Sequence, residues 1–339
     1  MLIIGLAGTE LGADERRWIM AEAVSGVILF TRNVASRRQL EDLVGEIRTL
    51  RGDRFLVCID QEGGRVQRIR GAEFTDLPPL ARLGALHRRD PAAAIAQCEQ
   101  HAWLMASEMR ALGIDLSFAP VVDLARGNLA IGDRAFDADP AVVGELAQAY
   151  VRGMHLAGMA ATAKHFPGHG SVREDTHVDL AVDPRPLDAL READLLPFAA
   201  CFAAGAEAVM LAHVRYPAVD AQPAGYSRVW IEDILRGDYG FEGVVFSDDV
   251  AMAAAAPAGA LGERIHAHLD AGCDLVLVCK AEWGGAAIEA VSGRAPCTEE
   301  RLEALYGAAA ARWEDYVANP QRAAFVAQLR QLDAQESPA

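Results

Sequence analysis

The sequence predicts a (β/α)8 barrel over residues 1–295 with a C-terminal helical extension over 296–339 packed on it. Three observations lead there. Eight short apolar runs recur along the chain, too uniformly apolar for half-exposed strands and suited to strands buried on both faces. Helix signals separate them. Charged and polar residues gather where the runs end, as they do at the C-terminal mouth of such a barrel.

In order, the runs are Leu2–Ala7, Gly26–Phe30, Phe55–Asp60, Leu116–Pro120, Ala160–Phe166, Ala208–Val214, Gly243–Asp248 and Leu275–Cys279. After the second, Ser36 is placed to cap a helix reaching about Leu50, with Glu41 and Glu46 on its polar side. Asp139-Pro140 opens another helix, because proline in the first turn sacrifices no hydrogen bond. Leu187–Gly205 and Pro257–Gly272 read as helices closed by glycine. The alternative, an open doubly wound sheet, would carry a glycine-rich phosphate loop after the first strand; Gly8-Thr9-Glu10-Leu11-Gly12 is a poor one. No linker and no second domain are expected.

Composition narrows the function. A formal net charge of −16 disfavours nucleic acid and anionic membrane surfaces. The opening Met1–Leu6 lacks a basic segment and reads as a strand rather than a secretion signal. No apolar run approaches the ~18 residues of a membrane span. The six cysteines form no C-x-x-C pair, and Cys58, Cys273 and Cys279 lie in or beside apolar runs as reduced core residues. These features predict a cytoplasmic monomer acting on a small molecule, without cofactor or metal.

The richest stretch is Lys164-His165-Phe166-Pro167-Gly168-His169-Gly170, followed by Asp175-Thr176-His177. Lys164 is one of two lysines among 32 basic residues. The strand ends also deliver Asp60, Gln61, Glu62, Arg65 and Arg68; Asp123; His213; Asp248 and Asp249; and Lys280, read as a rim residue. Six charged strand ends converging on one mouth signal a polar active site, since charge in apolar runs costs desolvation unless paired or used. Glu62 and Arg65 are expected to pair, and Asp249 to orient its neighbours. Three chemistries fit such a mouth. A metal-dependent hydrolase draws ligands from several strands, whereas these histidines cluster on one. A strand-end lysine can form a Schiff base, but Lys164 is expected to stay charged beside carboxylates. Glycosidic cleavage needs a carboxylate, for which Asp248 is placed, and a separate proton donor.

The segments Asp60-Gln61-Glu62-Gly63-Gly64-Arg65-Val66-Gln67-Arg68, Lys164–Gly170 and Gly243-Val244-Val245-Phe246-Ser247-Asp248-Asp249 resemble glycoside hydrolase family 3 over about residues 1–290. Within it they are similar to the single-domain bacterial β-N-acetylglucosaminidases of cell-wall recycling. The resemblance implies that Asp248 is the nucleophile, His177 the acid/base and Asp175 its partner. It implies that Asp60, Arg68, Arg134, Lys164 and His165 hold the N-acetylglucosamine. The implied substrate is N-acetylglucosamine β-linked to 1,6-anhydro-N-acetylmuramic acid, with or without peptide. Asp133, before Arg134, stands where relatives usually carry asparagine and is expected to add a carboxylate near the sugar. Gly168 and Gly170 are expected to loosen the loop, so that closure brings His177 to the substrate. Lys164→Ala is expected to weaken sugar binding with little effect on stability. A sugar-sensing barrel without activity would lack the nucleophile or the acid/base, and both residue types are present.

Overall fold

The structure is a computed structural model that describes residues 1–172, 181–308 and 311–334. The expected eight strands are β1 (Leu2–Gly5), β2 (Val24–Leu29), β3 (Leu56–Ile59), β4 (Leu116–Ser117), β5 (Thr162–Phe166), β6 (Ala208–Leu211), β7 (Val244–Phe246) and β8 (Val276–Val278). They pair in parallel as a five-stranded sheet, β8-β1-β2-β3-β4, and a three-stranded sheet, β5-β6-β7. Two bridges join the sheets. Val121, just past β4, pairs with Lys164 of β5, and Phe246 of β7 pairs with Leu275 before β8. Backbone bonds reinforce both seams, Thr162 N to Ala119 O at 2.8 Å and Ser247 N to Leu275 O at 2.9 Å. The ring is closed, giving the α/β barrel that the apolar runs predict.

Alternation along each strand divides the core. Ile3, Ile28, Leu56, Cys58, Leu116, Met210, Val244 and Leu277 share the barrel interior, where Phe118 meets Phe246 edge to face at 5.1 Å. Their strand neighbours, such as Leu2, Ile4, Val27, Val57 and Val276, point outward into a larger cluster with the helices. Leu302 and Leu305, after β8, join the interior cluster and plug the barrel.

Local chemistry explains the helices. Ser36 caps Arg37–Arg51 by accepting from Gln39 N at 3.2 Å, and Asp139 caps Pro140–Leu156 by accepting from Ala141 N at 2.9 Å. Two expected helices differ in extent. Leu187–Gly205 is split into Leu187–Arg191 and Leu195–Ala203, with Asp194 at the break engaged in a buried ion network described below. The helix expected from Pro257 begins at Leu261, because Gly259 has φ +102° and cannot continue a right-handed helix. The long helix Pro91–Ala111 and the wider, π-type helix Val229–Asp238 complete the layer.

The C-terminal helices Trp313–Ala318 and Pro320–Ala334 dock against Pro91–Ala111. Phe325 meets Trp103 edge to face at 5.5 Å. Tyr316 Oη donates to Glu108 Oε2 at 3.1 Å, and Thr75 Oγ1 donates to the same oxygen at 2.8 Å. Burial pushes the Glu108 carboxyl up to about 7, against the pull of these donors and of Arg322. A carboxyl raised in the fold stabilises fully below its ordinary 4.5, and that contribution fades as pH rises through about 7. Wild-type thermal stability should therefore decline across this window by roughly 1–3 kcal/mol from this group. Glu108→Gln should flatten the decline in calorimetric melts; an unchanged pH slope would contradict the assignment.

Candidate active site

The strand ends converge on a cavity of about 430 Å³ lined by Asp60, Glu62, Arg68, Arg134, Lys164, His165 and Asp248, with Phe30 and Met252 among its apolar walls. At its base lies a buried ion network. Lys164, 1% exposed in the middle of β5, places Nζ 2.8 Å from Asp60 Oδ1 and 2.6 Å from Glu62 Oε1. Arg134 grips Glu62 with two bonds of 2.8 Å each, Nε to Oε2 and Nη2 to Oε1. This paired geometry is the strongest an arginine and a carboxylate make. Arg68 Nη2 stands 3.5 Å from Asp60 Oδ2.

Burial alone would raise both carboxyls, but Lys164 with Arg68 holds Asp60 below its ordinary value, and Arg134 with Lys164 holds Glu62 well below. Burial alone would lower Lys164, yet Asp60 and Glu62 raise it, so it is an ammonium and not a free amine. A Schiff-base nucleophile would need the opposite. Arg68 Nε is buried without a hydrogen-bond partner among the described residues. A sugar hydroxyl is a fitting acceptor for such a donor, and Asp60 retains lone pairs for hydroxyl donors.

A second unit fixes His165. Asp123, 1% exposed, accepts from His165 Nδ1 at 2.7 Å and from the His169 amide at 2.7 Å. Burial would raise Asp123, and His165 beside it holds it low; burial drives His169 down to about 4, keeping that ring neutral. The Lys164–His165 and Phe166–Pro167 peptides are cis. Just past β7, Asp248 Oδ1 accepts from the Asp249 amide at 2.8 Å. Asp249 Oδ1 takes the amides of Ala251 and Cys279 at 3.0 and 3.1 Å. It ties the end of β7 to the end of β8, whereas among the described residues Asp248 bonds no neighbouring strand.

Residues 173–180, which include the expected Asp175 and His177, lie outside the described residues. The flanks of that segment are firmly built. Asp194, 1% exposed, accepts from Ser171 Oγ at 2.8 Å and from Arg185 Nη1 at 2.7 Å, while Arg185 also grips Asp183. A Cβ on Gly170 would stand 1.9 Å from Leu124 O, and one on Gly168 would stand 2.7 Å from Asp194 Cβ, so both glycines permit close packing. The loop closure expected at His177 falls outside the described residues.

Relatives agree with this geometry. The sequence profile "Glycosyl hydrolase family 3 N terminal domain" matches residues 4–305. The chain belongs to glycosyl hydrolase family 3. It is a glycoside hydrolase. A beta-hexosaminidase of Stenotrophomonas maltophilia (strain R551-3) is 60% identical over 319 residues, covering 94% of this chain and 95% of that protein. The crystal structure of NagZ from Neisseria gonorrhoeae in complex with N-trifluoroacetyl-D-glucosamine matches with TM-score 0.89 at 38% identity, over 98% of this chain and 97% of that one. A family 3 β-N-acetylglucosaminidase from Paenibacillus sp. str. FPU-7 matches with TM-score 0.81 at 35% identity, over 100% of this chain and 62% of that one. These relatives support β-N-acetylglucosaminidase activity.

Within this family 3 barrel, Asp60, Arg68, Arg134, Lys164, His165 and Asp248 all reach one cavity. The expected Glu62–Arg65 pair does not form. Gln61–Gly63 and Val66–Gln67 make an antiparallel hairpin that turns Glu62 inward to Lys164 and Arg134. Arg65 instead reaches Asp133 at 3.2 Å on the surface, so the added carboxylate at 133 is paired with a cation. Sequence reasoning missed Glu62 as the hub; its position two residues after Asp60 and just before the Gly63-Gly64 turn was the available signal. Among the described residues no group of three or more His, Cys, Asp or Glu could hold a metal ion.

Burial also reverses the expected stability of the Lys164 variant. Removing Lys164 would leave Asp60 and Glu62 buried with one cation fewer, a change that costs about 3–5 kcal/mol. Lys164→Met should lose stability on that scale in urea unfolding, whereas Arg65→Ala, on a surface pair, should stay within about 1 kcal/mol. Equal stabilities would contradict the network.

Proposed function

We propose that the enzyme is a retaining β-N-acetylglucosaminidase that removes terminal N-acetylglucosamine from 1,6-anhydro-N-acetylmuramic acid, with or without peptide. It acts as a cytoplasmic monomer without metal or cofactor. The observation that carries the reading is the placement of Asp248 on the wall of a cavity whose base is the Asp60–Lys164–Glu62–Arg134 network. The NagZ of Neisseria gonorrhoeae, similar over nearly its whole length, binds an N-acyl glucosamine. No helix among the described residues is long and apolar enough to cross a membrane.

In the proposed reaction, Asp60, Arg68, Lys164 and His165 engage the hydroxyls and acetamido group of the sugar, and Arg134 holds Glu62 and lines the pocket. An Asp248 oxygen attacks the anomeric carbon as the bond to the glycosidic oxygen breaks. The imidazolium of His177 protonates the departing oxygen. Neutral His177 then takes a proton from water, which displaces Asp248 and releases the sugar with its β configuration. An imidazole titrates near ~6.5, so it can serve both half-reactions near neutral pH. Asp175 would orient the ring and favour its charged form.

Asp248→Asn should abolish most turnover yet still bind N-acetylglucosamine in calorimetry, and NMR of the wild-type reaction should show the β-anomer first; an α-anomer first would exclude the retaining course. His177→Ala should slow glycosides with poor leaving groups far more than activated aryl glycosides, which depart without a proton. A wild-type to variant rate ratio that stays constant across leaving groups would make His177 a binding residue instead.

A further inference from the structure

Just past β6, His213 is a strand-end residue with no part in the reaction above. It is 1% exposed and bonds the backbone of the Asp248–Asp249 pair, which lines the catalytic cavity. Its Nε2 lies 3.2 Å from the Asp249 backbone oxygen. A carbonyl only accepts, so Nε2 carries the proton and donates. Burial holds the ring below its ordinary value, against the pull of Asp248 and Asp249, so near neutral pH it is uncharged and Nδ1 is bare. Nδ1 has no hydrogen-bond partner among the described residues. The contact with Asp249 therefore selects one tautomer.

The ring is packed in place. Its centre is 5.4 Å from that of His268, on the helix Leu261–Ala271, and 6.1 Å from that of Tyr226. His268 and Tyr226 stack against each other at 4.4 Å, and Tyr226 Oη donates to Ala255 O at 3.2 Å. His268 is fully buried, and burial holds it well below its ordinary value, so it packs as a neutral ring. A Cβ on Gly225 would stand 2.6 Å from His268 Cε1, so this glycine admits the ring. The turn that bears Asp248 is also tied to β8. Val250 N donates to Leu277 O at 3.1 Å, and Cys279 N donates to Asp249 Oδ1 at 3.1 Å. Asp249 is thus gripped through its carbonyl by His213, and its amide donates to Asp248 Oδ1 at 2.8 Å.

We propose that His213 is a positioning residue for the nucleophile: by donating to Asp249 O it fixes the backbone that aims the Asp248 carboxylate. The inference rests on the assignment of Asp248 as nucleophile given above and extends it. His213 holds the turn from β6, while Leu277 and Cys279 hold it from β8, so the turn is clamped from both sides. The sugar-holding network at Asp60, Glu62, Lys164 and Arg134 belongs to other strand ends. A displacement of about 1 Å in an attacking group costs on the order of a hundredfold in rate. Releasing this clamp therefore acts on the chemical step and not on sugar binding.

The test compares two variants of similar shape. His213→Gln keeps an N–H donor, and His213→Met removes it. In His213→Met, Asp249 O still accepts from the Met252 amide at 3.1 Å, so no carbonyl is left unpaired. His213→Met should lower kcat/KM for p-nitrophenyl N-acetyl-β-D-glucosaminide about ten- to a hundredfold. Its calorimetric Kd for N-acetylglucosamine should stay within about twofold of wild type. His213→Gln should recover kcat/KM to within about threefold. In the wild-type enzyme, 15N NMR of labelled histidine should show His213 as the Nε2–H tautomer between about pH 6 and 8. An Nδ1–H tautomer, or a folded His213→Gln as slow as His213→Met, would overturn the positioning role. Full turnover by Asp248→Asn would instead overturn the nucleophile assignment, and the role of His213 with it.

Discussion

The ammonium of Lys164, buried between Asp60 and Glu62, is the constraint on which the active site depends. A charge so far from water must be matched on every side. Asp60 and Glu62 come from the end of β3 and the hairpin after it, Lys164 from β5, and Arg134 from the loop after β4. One network thereby joins three successive strand ends of the barrel. Three cations, Lys164, Arg68 and Arg134, match two carboxylates at the base of the cavity that Asp248 also lines.

The same reasoning extends around the mouth. Asp123 organises the start of the loop after β5 through His165 and His169, and Asp194 holds Ser171 and Arg185 on either side of residues 173–180. Asp249 joins β7 to β8. Each is a buried or half-buried carboxylate that accepts from backbone amides or fixed side-chain donors and so pins a strand end or loop at the barrel mouth. Gly168 and Gly170 fit this picture as packing glycines.

Much of this was legible in the chain. Strands buried on both faces leave unbroken apolar runs, and the charged residues at six of the run ends mark the mouth, so all eight strands and five of the six cavity residues could be read from the pattern; Arg134 came from the family resemblance. Pairings were less legible. Glu62 and Arg65 are near neighbours in sequence, but a tight hairpin sends them to opposite sides, and Arg134, seventy-odd residues on, takes the place expected for Arg65. Helix ends slipped where a tertiary demand overrode propensity, as at Asp194 and at Gly259. The Asp175 and His177 assignments rest on the family motif rather than on described geometry.

The account turns on Asp248 as the group that captures the sugar. Incubation with a 2-acetamido-2-deoxy-5-fluoro glycosyl fluoride, followed by proteolysis and mass spectrometry, reads this directly. A single added glycosyl group on Asp248, prevented by excess N-acetylglucosamine, is the predicted result. A label on Asp249, or steady turnover of the probe with no covalent species, would contradict it.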